Sequence, residues 1–160
     1  MIPVNLASME AIMRRAEGFP ISPAKAAKLL GTTTDQLRHL VGTRIRLVQN
    51  RKKQWYNLAD IFALCGKNVK ALRYADELKV PYQVEPSLHD ILQAADGFPI
   101  SQQKSCRLLH IAPKKLRPFY GTNVWPCEIG NGAGNAFNIN LAHILVLCGK
   151  ELRYLKPMYL

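Results

Sequence analysis

Apolar residues recur at helical spacing in several short blocks of this chain, and capping or turn residues separate the blocks. The clearest block predicts a helix over residues 23–30. Ser22 before it is a favoured N-cap, Pro23 suits the first helical position, and Gly31 ends the apolar spacing.

A second helix is predicted over residues 34–41, directly after this one. Thr33 is its N-cap, and Gln36 follows at the spacing of a capping box. Leu37 and Leu40 recur at helical spacing, so the helix buries that face and exposes its polar face. The two helices and the short connection between them predict a helix-turn-helix.

The pattern then becomes extended. Residues 45–48 and 54–56 flank a basic segment, residues 50–53, which predicts a β-hairpin with a cationic tip. Asn57 is the predicted N-cap of a closing helix over residues 58–65.

A first helix over residues 7–16 precedes these elements. The resulting order of helix, helix-turn-helix, hairpin and helix is that of a winged helix-turn-helix domain. The predicted fold class is therefore mainly α with small β-hairpin wings, an α+β arrangement.

The same pattern occurs twice along the chain. The segment GFPIS at residues 18–22 recurs at residues 97–101, an offset of 79, and LCGK at residues 64–67 recurs at residues 147–150, an offset of 83. Several single residues between these segments also match at the offset of 79. We interpret this as a tandem duplication, because chance does not produce so many matches at two fixed offsets.

The duplication predicts two domains, a winged helix-turn-helix domain at residues 1–80 and a diverged repeat of it at residues 81–160. The hinge is expected near residues 80–86, and Ser87 is the predicted cap of the second copy's first helix. The four extra residues of the second copy fall in its hairpin region.

A net charge of +11 and a pI near 9.8 point toward a polyanionic partner. Nucleic acid is the commonest such partner, although ribosomal proteins, proteins at membrane surfaces and merely basic proteins share the trait. Residues 1–80 hold 14 basic and 6 acidic side chains, and residues 81–160 hold 8 and 5. The first copy is therefore the stronger candidate for binding phosphates.

The four cysteines, Cys65, Cys106, Cys127 and Cys148, contain no CxxC pair, and the N-terminal residues lack the pattern of a signal peptide. No run of 18 apolar residues occurs, so we expect no membrane association. Reduced thiols in a cytoplasmic, nucleoid-associated protein are the simplest interpretation. Cys65 and Cys148 occupy the same apolar helical position in the two copies, which core packing explains.

Residues 21–64 resemble the winged helix-turn-helix of the MerR and excisionase families. The shared features are a helix ending in leucine and glycine, a second helix opened by Ser or Thr, a wing, and an aromatic residue before a helix that contains Asp. In this chain they are the segment AAKLLG at residues 26–31, Thr33, residues 51–53, Trp55 with Tyr56, and Asp60. Small stand-alone factors of this kind are frequent in phages and plasmids, which the resemblance suggests as a source.

The resemblance implies double-stranded DNA as the partner, with the helix after the turn in the major groove and the wing on the backbone or minor groove. Arg38 is the expected base reader, since an arginine bound to guanine through two hydrogen bonds discriminates bases by roughly 1–3 kcal/mol. A surface arginine and a merely solvated turn are the alternative interpretation. The candidate DNA-binding residues of the first copy are Thr34, Asp35, Gln36, Arg38 and His39 on the helix, and Arg44, Arg46, Arg51, Lys52 and Lys53 in the wing region.

The second copy departs from this pattern. Pro118 falls inside its predicted third helix, so we expect that helix to be short or kinked. The corresponding wing, residues 126–135, contains no Lys or Arg. Lys114, Lys115 and Arg117 remain as candidate DNA-binding residues, so the second copy is expected either to bind DNA more weakly or to dock a protein.

The sequence offers little for catalysis or metal binding. No Ser/His/Asp set, paired catalytic carboxylates, Walker loop or dinucleotide-binding motif occurs. Cys106 and His110 are four residues apart on one predicted helix, which is half of a metal site, but the matching residues of the first copy are Ala27 and Gly31. We therefore expect no enzyme activity, no cofactor and no metal.

Two functions are compatible with these patterns. The first is a sequence-specific DNA-binding protein that acts as a transcriptional regulator or as an excisionase-like architectural factor. The second is a protein-binding adaptor or inhibitor of the transcription or replication machinery, which the uncharged second wing favours. A homodimer stays open as a further alternative.

Overall fold

The fold is a mixture of short helices and two small antiparallel sheets, as seen in a computed structural model. This agrees with the predicted α+β class. The helices in the described ranges are short, and none of them has the length and apolar character needed to cross a membrane. The structure describes residues 8–79, 84–121, 123–125 and 138–148.

The first copy contains five helices and three strands within its described residues. Its second helix has the predicted bounds, because the Ser22 hydroxyl accepts the Lys25 N–H at 3.3 Å and Gly31 ends the helix at φ 67°. The elements are α1 (Met9–Ala16), β1 (Pro20–Ile21), α2 (Pro23–Leu30), α3 (Thr34–Arg38), β2 (Leu47–Asn50), β3 (Lys53–Asn57), α4 (Leu58–Ala63) and α5 (Val69–Glu77).

Helix α3 is shorter than predicted, since it ends at Arg38 rather than at residue 41. The carbonyl of Leu40 accepts the N–H groups of the next turn, among them that of Ile45 at 3.0 Å, and this turns the chain toward the hairpin. Thr33 caps the helix as predicted, by accepting the Gln36 N–H at 3.2 Å. The capping box is only half formed, because Gln36 Oε1 is buried without a hydrogen-bond partner among the described residues.

The predicted hairpin is confirmed with slightly shifted ends. Strands β2 and β3 pair with Asn50 opposite Lys53, which leaves a two-residue loop of Arg51 and Lys52. Arg51 adopts φ 58°, an uncommon conformation for a non-glycine residue that a tight turn demands. Strand β1 pairs with the other edge of β3, so the strand order is β1-β3-β2.

Asn57 joins the sheet to the helices. Its side chain is buried, and its Oδ1 accepts the N–H groups of Ala59 and Gly18 at 3.0 and 3.1 Å while Nδ2 donates to Glu17 at 3.1 Å. The second copy repeats this arrangement at Asn140, with Ala142, Gly97 and Asp96 as the partners. The internal repeat therefore extends from the sequence to equivalent hydrogen bonds.

Within its described residues, the second copy contains counterparts of α1 to α4 and a smaller sheet. As expected, Pro118 interrupts its third helix, which is four residues long and continues as a 3-10 helix, Arg117–Phe119. The elements are α6 (Leu88–Ala95), β4 (Pro99–Ser101), α7 (Gln102–Leu109), α8 (Pro113–Leu116), β5 (Asn138–Asn140) and α9 (Leu141–Leu147). The predicted second wing, residues 126–135, lies outside the described residues.

The chain forms two compact units that do not coincide with the predicted halves at residue 80. The first-copy unit comprises residues 16–94, and the second-copy unit comprises residues 1–15 with residues 95–160. Each apart from its last residue, helix α1 therefore belongs to the second-copy unit and helix α6 to the first-copy unit. Each unit takes the first helix of the other copy.

The cysteines of the described ranges are free and buried. Burial raises the pKa of the Cys65 thiol and of the Cys148 thiol to about 12, so both stay protonated at neutral pH. The core-packing interpretation of these two residues is confirmed. Cys127 lies outside the described residues.

Candidate nucleic-acid interface

Helix α3 presents an exposed polar face. Leu37 is fully buried and fixes the orientation of the helix, while Thr34 and Arg38 are exposed on it and His39 is exposed directly after it. The guanidinium of Arg38 forms an ion pair with Asp35 at 3.0 Å, in which the two side chains are 72% and 78% exposed. A pair this exposed is worth roughly 0.2–1 kcal/mol, so Arg38 can exchange it for a stronger partner.

Arg38 also lies close to the hairpin. Burial raises the pKa of the Tyr56 hydroxyl on β3, and the positive charge of Arg38 opposes that rise. The charge of α3 therefore acts on the base of the hairpin, where Tyr56 pairs with Leu47.

The tip of the hairpin is cationic. Arg51, Lys52 and Lys53 are all exposed, and none of them forms an ion pair with another residue of the described ranges. Charges without acidic neighbours are available to an external anion.

Arg44 has a structural partner that the sequence did not reveal. Its guanidinium binds the Asp76 carboxylate of α5 at 3.1 Å, and the two side chains are only 16% and 18% exposed. The pair fixes α5 against the segment that follows α3. Arg44 is thus much less accessible to a ligand than the hairpin tip.

Arg46 is similarly engaged within its own unit. Its guanidinium binds Asp60 at 3.0 Å and Glu17 at 2.9 Å. These hydrogen bonds, first that of Asp60, raise the pKa of Arg46 above its ordinary value, and the hydrogen bond from Arg46 lowers the pKa of Glu17. Arg46 therefore holds the base of the hairpin to α4, and its charge is largely balanced.

The second copy keeps three candidate cations. Lys114 and Lys115 on α8 and Arg117 just after it are exposed, and among the described residues none of them forms an ion pair.

Trp125 stands where the first copy has Arg46, and its backbone N–H donates to His143 Nδ1 at 3.1 Å. Burial lowers the pKa of His143, which favours the neutral imidazole that can accept this hydrogen bond.

One polar pair was missed by the sequence analysis. Arg15 on α1 donates to His110 Nδ1 at 2.7 Å, across 95 residues of sequence. At the repeat offset of 79, the matching residues are Ala94 and Gly31, which cannot form such a pair. That difference between the copies was visible in the sequence, but the proximity of the two residues was not.

In the part of the chain that the structure describes, no three His, Cys, Asp or Glu side chains lie close enough together to hold a metal ion. The chain matches no protein-family model, no curated protein and no solved structure.

Proposed function

We propose that this chain is a sequence-specific double-stranded DNA-binding protein built from two tandem winged helix-turn-helix domains. It acts as a transcriptional regulator or as an excisionase-like architectural factor. The main support is the combination, in the first-copy unit, of an exposed arginine on α3 with an exposed cationic hairpin tip that no described acidic side chain neutralises.

In this proposal α3 lies in the major groove and Arg38 reads a base. A guanine bound through two hydrogen bonds contributes roughly 1–3 kcal/mol of discrimination, which exceeds the roughly 0.2–1 kcal/mol that an exposed pair such as Arg38–Asp35 contributes. Thr34 at the start of the helix and His39 just after its end are exposed and supply further contacts. The exchange of partners favours DNA.

The hairpin tip binds the phosphate backbone. Each phosphate contact displaces a condensed counterion, so affinity falls as the salt concentration rises. Arg51, Lys52 and Lys53 provide sequence-independent affinity, and Arg44 and Arg46 maintain the geometry through Asp76 and Asp60.

The test is the salt dependence of binding to duplex DNA, measured by fluorescence anisotropy. Replacing Lys52 and Lys53 by Gln is expected to lower the slope of log K against log salt by about 1.8, since each phosphate contact contributes about 0.9. The matched control replaces Lys70 and Lys79 by Gln, two exposed lysines of the same unit outside the proposed interface. Equal slopes for the two variants would remove the hairpin from the interface.

Sequence preference is tested separately in the same assay. Arg38→Ala is expected to relax the preference for sequences selected from a random duplex pool more than it weakens binding to random duplex. A loss of the same size on both kinds of DNA would assign Arg38 to the phosphates instead.

A protein-binding adaptor or inhibitor of the transcription or replication machinery is the second candidate. One observation favours it: Tyr74 and Leu78 lie one turn apart at the end of α5 and are 63% and 72% exposed. Gel shifts against genomic fragments at about 0.15 M salt separate the two functions, because an adaptor leaves the DNA unshifted.

A further inference from the structure

A shallow depression of about 750 Å³ lies on the second-copy unit between α7 and α8. Its lining includes Gln103, Arg107, His110 and Pro113, and none of its described lining residues is acidic. Arg107 and His110 are exposed, and Arg107 forms no ion pair with a described residue. The depression therefore has the concave shape and the unbalanced positive charge that an anion requires.

A second guanidinium is held at the rim. Arg15, on the α1 helix that this unit takes from the first copy, donates to His110 Nδ1 at 2.7 Å. An arginine has five N–H donors, so the bond to His110 orients the planar group and leaves the others for a ligand. His110 acts as a positioning residue, because its Nδ1 accepts a hydrogen bond from Arg15 and so fixes the direction of the guanidinium.

A third guanidinium lies nearby. Burial raises the pKa of Cys106, which lines the depression, and the charge of Arg117 opposes that rise. Arg117 is exposed beyond the end of α8. Arg107 therefore lines the concave surface, and Arg15 is held at its rim by His110.

The first-copy unit has no equivalent of the Arg15–His110 pair. The residues at the repeat offset from these two are Ala94 and Gly31, whereas Lys28 stands at the offset from Arg107. The second wing, in turn, has no Lys or Arg in residues 126–135, whereas the first wing has three in residues 51–53. The unit whose wing contains no Lys or Arg is thus the unit that has the Arg15–His110 pair.

We propose that the depression bounded by Arg15, Arg107 and His110 binds a backbone phosphate of duplex DNA, and that it gives the second-copy unit the phosphate contact that its wing lacks. The inference rests on the proposed function and extends it to a second, differently built contact. Arginine suits this task because its planar donors match the oxygens of a phosphate.

The test compares two double variants in the anisotropy assay, on a duplex long enough for both copies. Arg15→Gln with Arg107→Gln is expected to lower the salt slope by about 1.8 and to weaken binding about 30-fold near 0.15 M salt, for two lost phosphate contacts. The matched control is Arg14→Gln with Arg73→Gln, which removes the same charge from two arginines paired with Glu10 and Glu77.

The outcomes separate the two proposals. If the double variant at the depression behaves like its control while Lys52→Gln with Lys53→Gln still lowers the slope, the proposed function stands and this inference fails. If the wild-type chain shows no salt-dependent binding to duplex DNA, both fail. If Arg15→Gln with Arg107→Gln loses affinity for poly-glutamate but keeps its affinity for the duplex, the depression binds acidic polypeptide and the inference is overturned.

A measurement on the wild-type chain covers the case in which the double variant does not fold. A phosphate that engages Arg15 alters its hydrogen bond to His110, so the imidazole resonances of His110 are expected to shift when duplex is added. Unchanged His110 resonances at saturating duplex would overturn the inference.

Discussion

At the base of the two hairpins, the copies stabilise the same turn with different chemistry. In the first copy the Arg46 N–H donates to Asp60 at 2.8 Å, and the guanidinium adds two ion pairs. In the second copy the Trp125 N–H donates to His143 at 3.1 Å. Both copies form this backbone hydrogen bond, but only the first copy adds ion pairs to it. The hydrogen bond of the second copy therefore depends on the protonation state of one imidazole.

Stability of the second copy is therefore expected to depend on pH near neutrality. Burial lowers the pKa of folded His143 below 6.5, so protonation favours the unfolded chain. The stabilisation is complete above pH 6.5 and declines as the pH falls through the folded value. His143→Asn keeps an acceptor without a titrating group, and urea unfolding from about pH 7.5 to about pH 5 should show a shallower decline for it. The matched control is His89→Asn, at an exposed position; if both variants follow the wild-type curve, His143 does not control this dependence.

Residue-level chemistry was predictable where it is local. The caps at Ser22, Thr33 and Asn57 follow from neighbours two or three positions away, and all three form. The ion pair of Arg44 with Asp76 joins residues 32 apart, so no local pattern indicated it. Arg44 was for that reason predicted as a DNA contact when it is largely engaged inside its unit.

At the scale of elements, the prediction succeeded where both ends of a helix have signals. Helix α2 has a cap, a proline and a terminal glycine, and its bounds are as predicted. Helix α3 has a clear start only, and backbone hydrogen bonds from the next turn to the Leu40 carbonyl end it three residues early. Helix α5 was not predicted at all, although Asn68 caps it, because its role depends on packing against a distant element.

Helix α6 lies so close to the turn after α4 that only a glycine fits there without overlap. A Cβ at Gly66 would overlap the side chain of Asp90, which also lies 3.9 Å from Lys67 Nζ. Gly66→Ala is expected to destabilise the chain both through its φ of +77° and through this overlap. Gly42 is the matched control, because its φ is +92° and nothing lies within 4 Å of a Cβ there.

The strain common to both substitutions costs about 1–2 kcal/mol, and the overlap adds about 1–3 kcal/mol for Gly66→Ala alone. Urea unfolding measures the difference, and adding Asp90→Ala should reduce the excess, because it removes the carboxyl group and leaves only Cβ in the overlap. Equal costs for the two alanine variants would mean that α6 does not pack against this turn.

At the scale of the whole molecule, the duplication predicts the elements that the described parts of the two copies share, but not which of them pack together. The repeat boundary near residue 80 separates two similar sequences, and the simplest expectation is that each folds on its own helices. The boundaries of the compact units instead lie between residues 15 and 16 and between residues 94 and 95, so each unit contains the first helix of the other copy. The two first helices share the apolar positions Ile12 and Ile91, so hydrophobic pattern alone does not indicate which copy each will join.

This exchange of helices predicts which fragment of the chain is stable by itself. A fragment of residues 16–94 contains a complete compact unit, whereas residues 1–80 lack α6 and retain α1, which belongs to the other unit. Ile91 and Leu92 on α6 are 0% and 2% exposed, and burying two such side chains contributes about 3–6 kcal/mol. That is a large part of the stability of a small domain, about 5–15 kcal/mol.

We therefore expect residues 16–94 to unfold cooperatively in urea and residues 1–80 to be far less stable, as followed by circular dichroism. A synthetic peptide of residues 84–95 added to residues 1–80 should restore part of the lost stability, because it supplies the missing helix in trans. The same peptide with Ile91→Asp is the control, since a carboxylate cannot be buried in that apolar position without a large cost. Fragments of equal stability, with no response to the peptide, would show that each copy packs its own first helix.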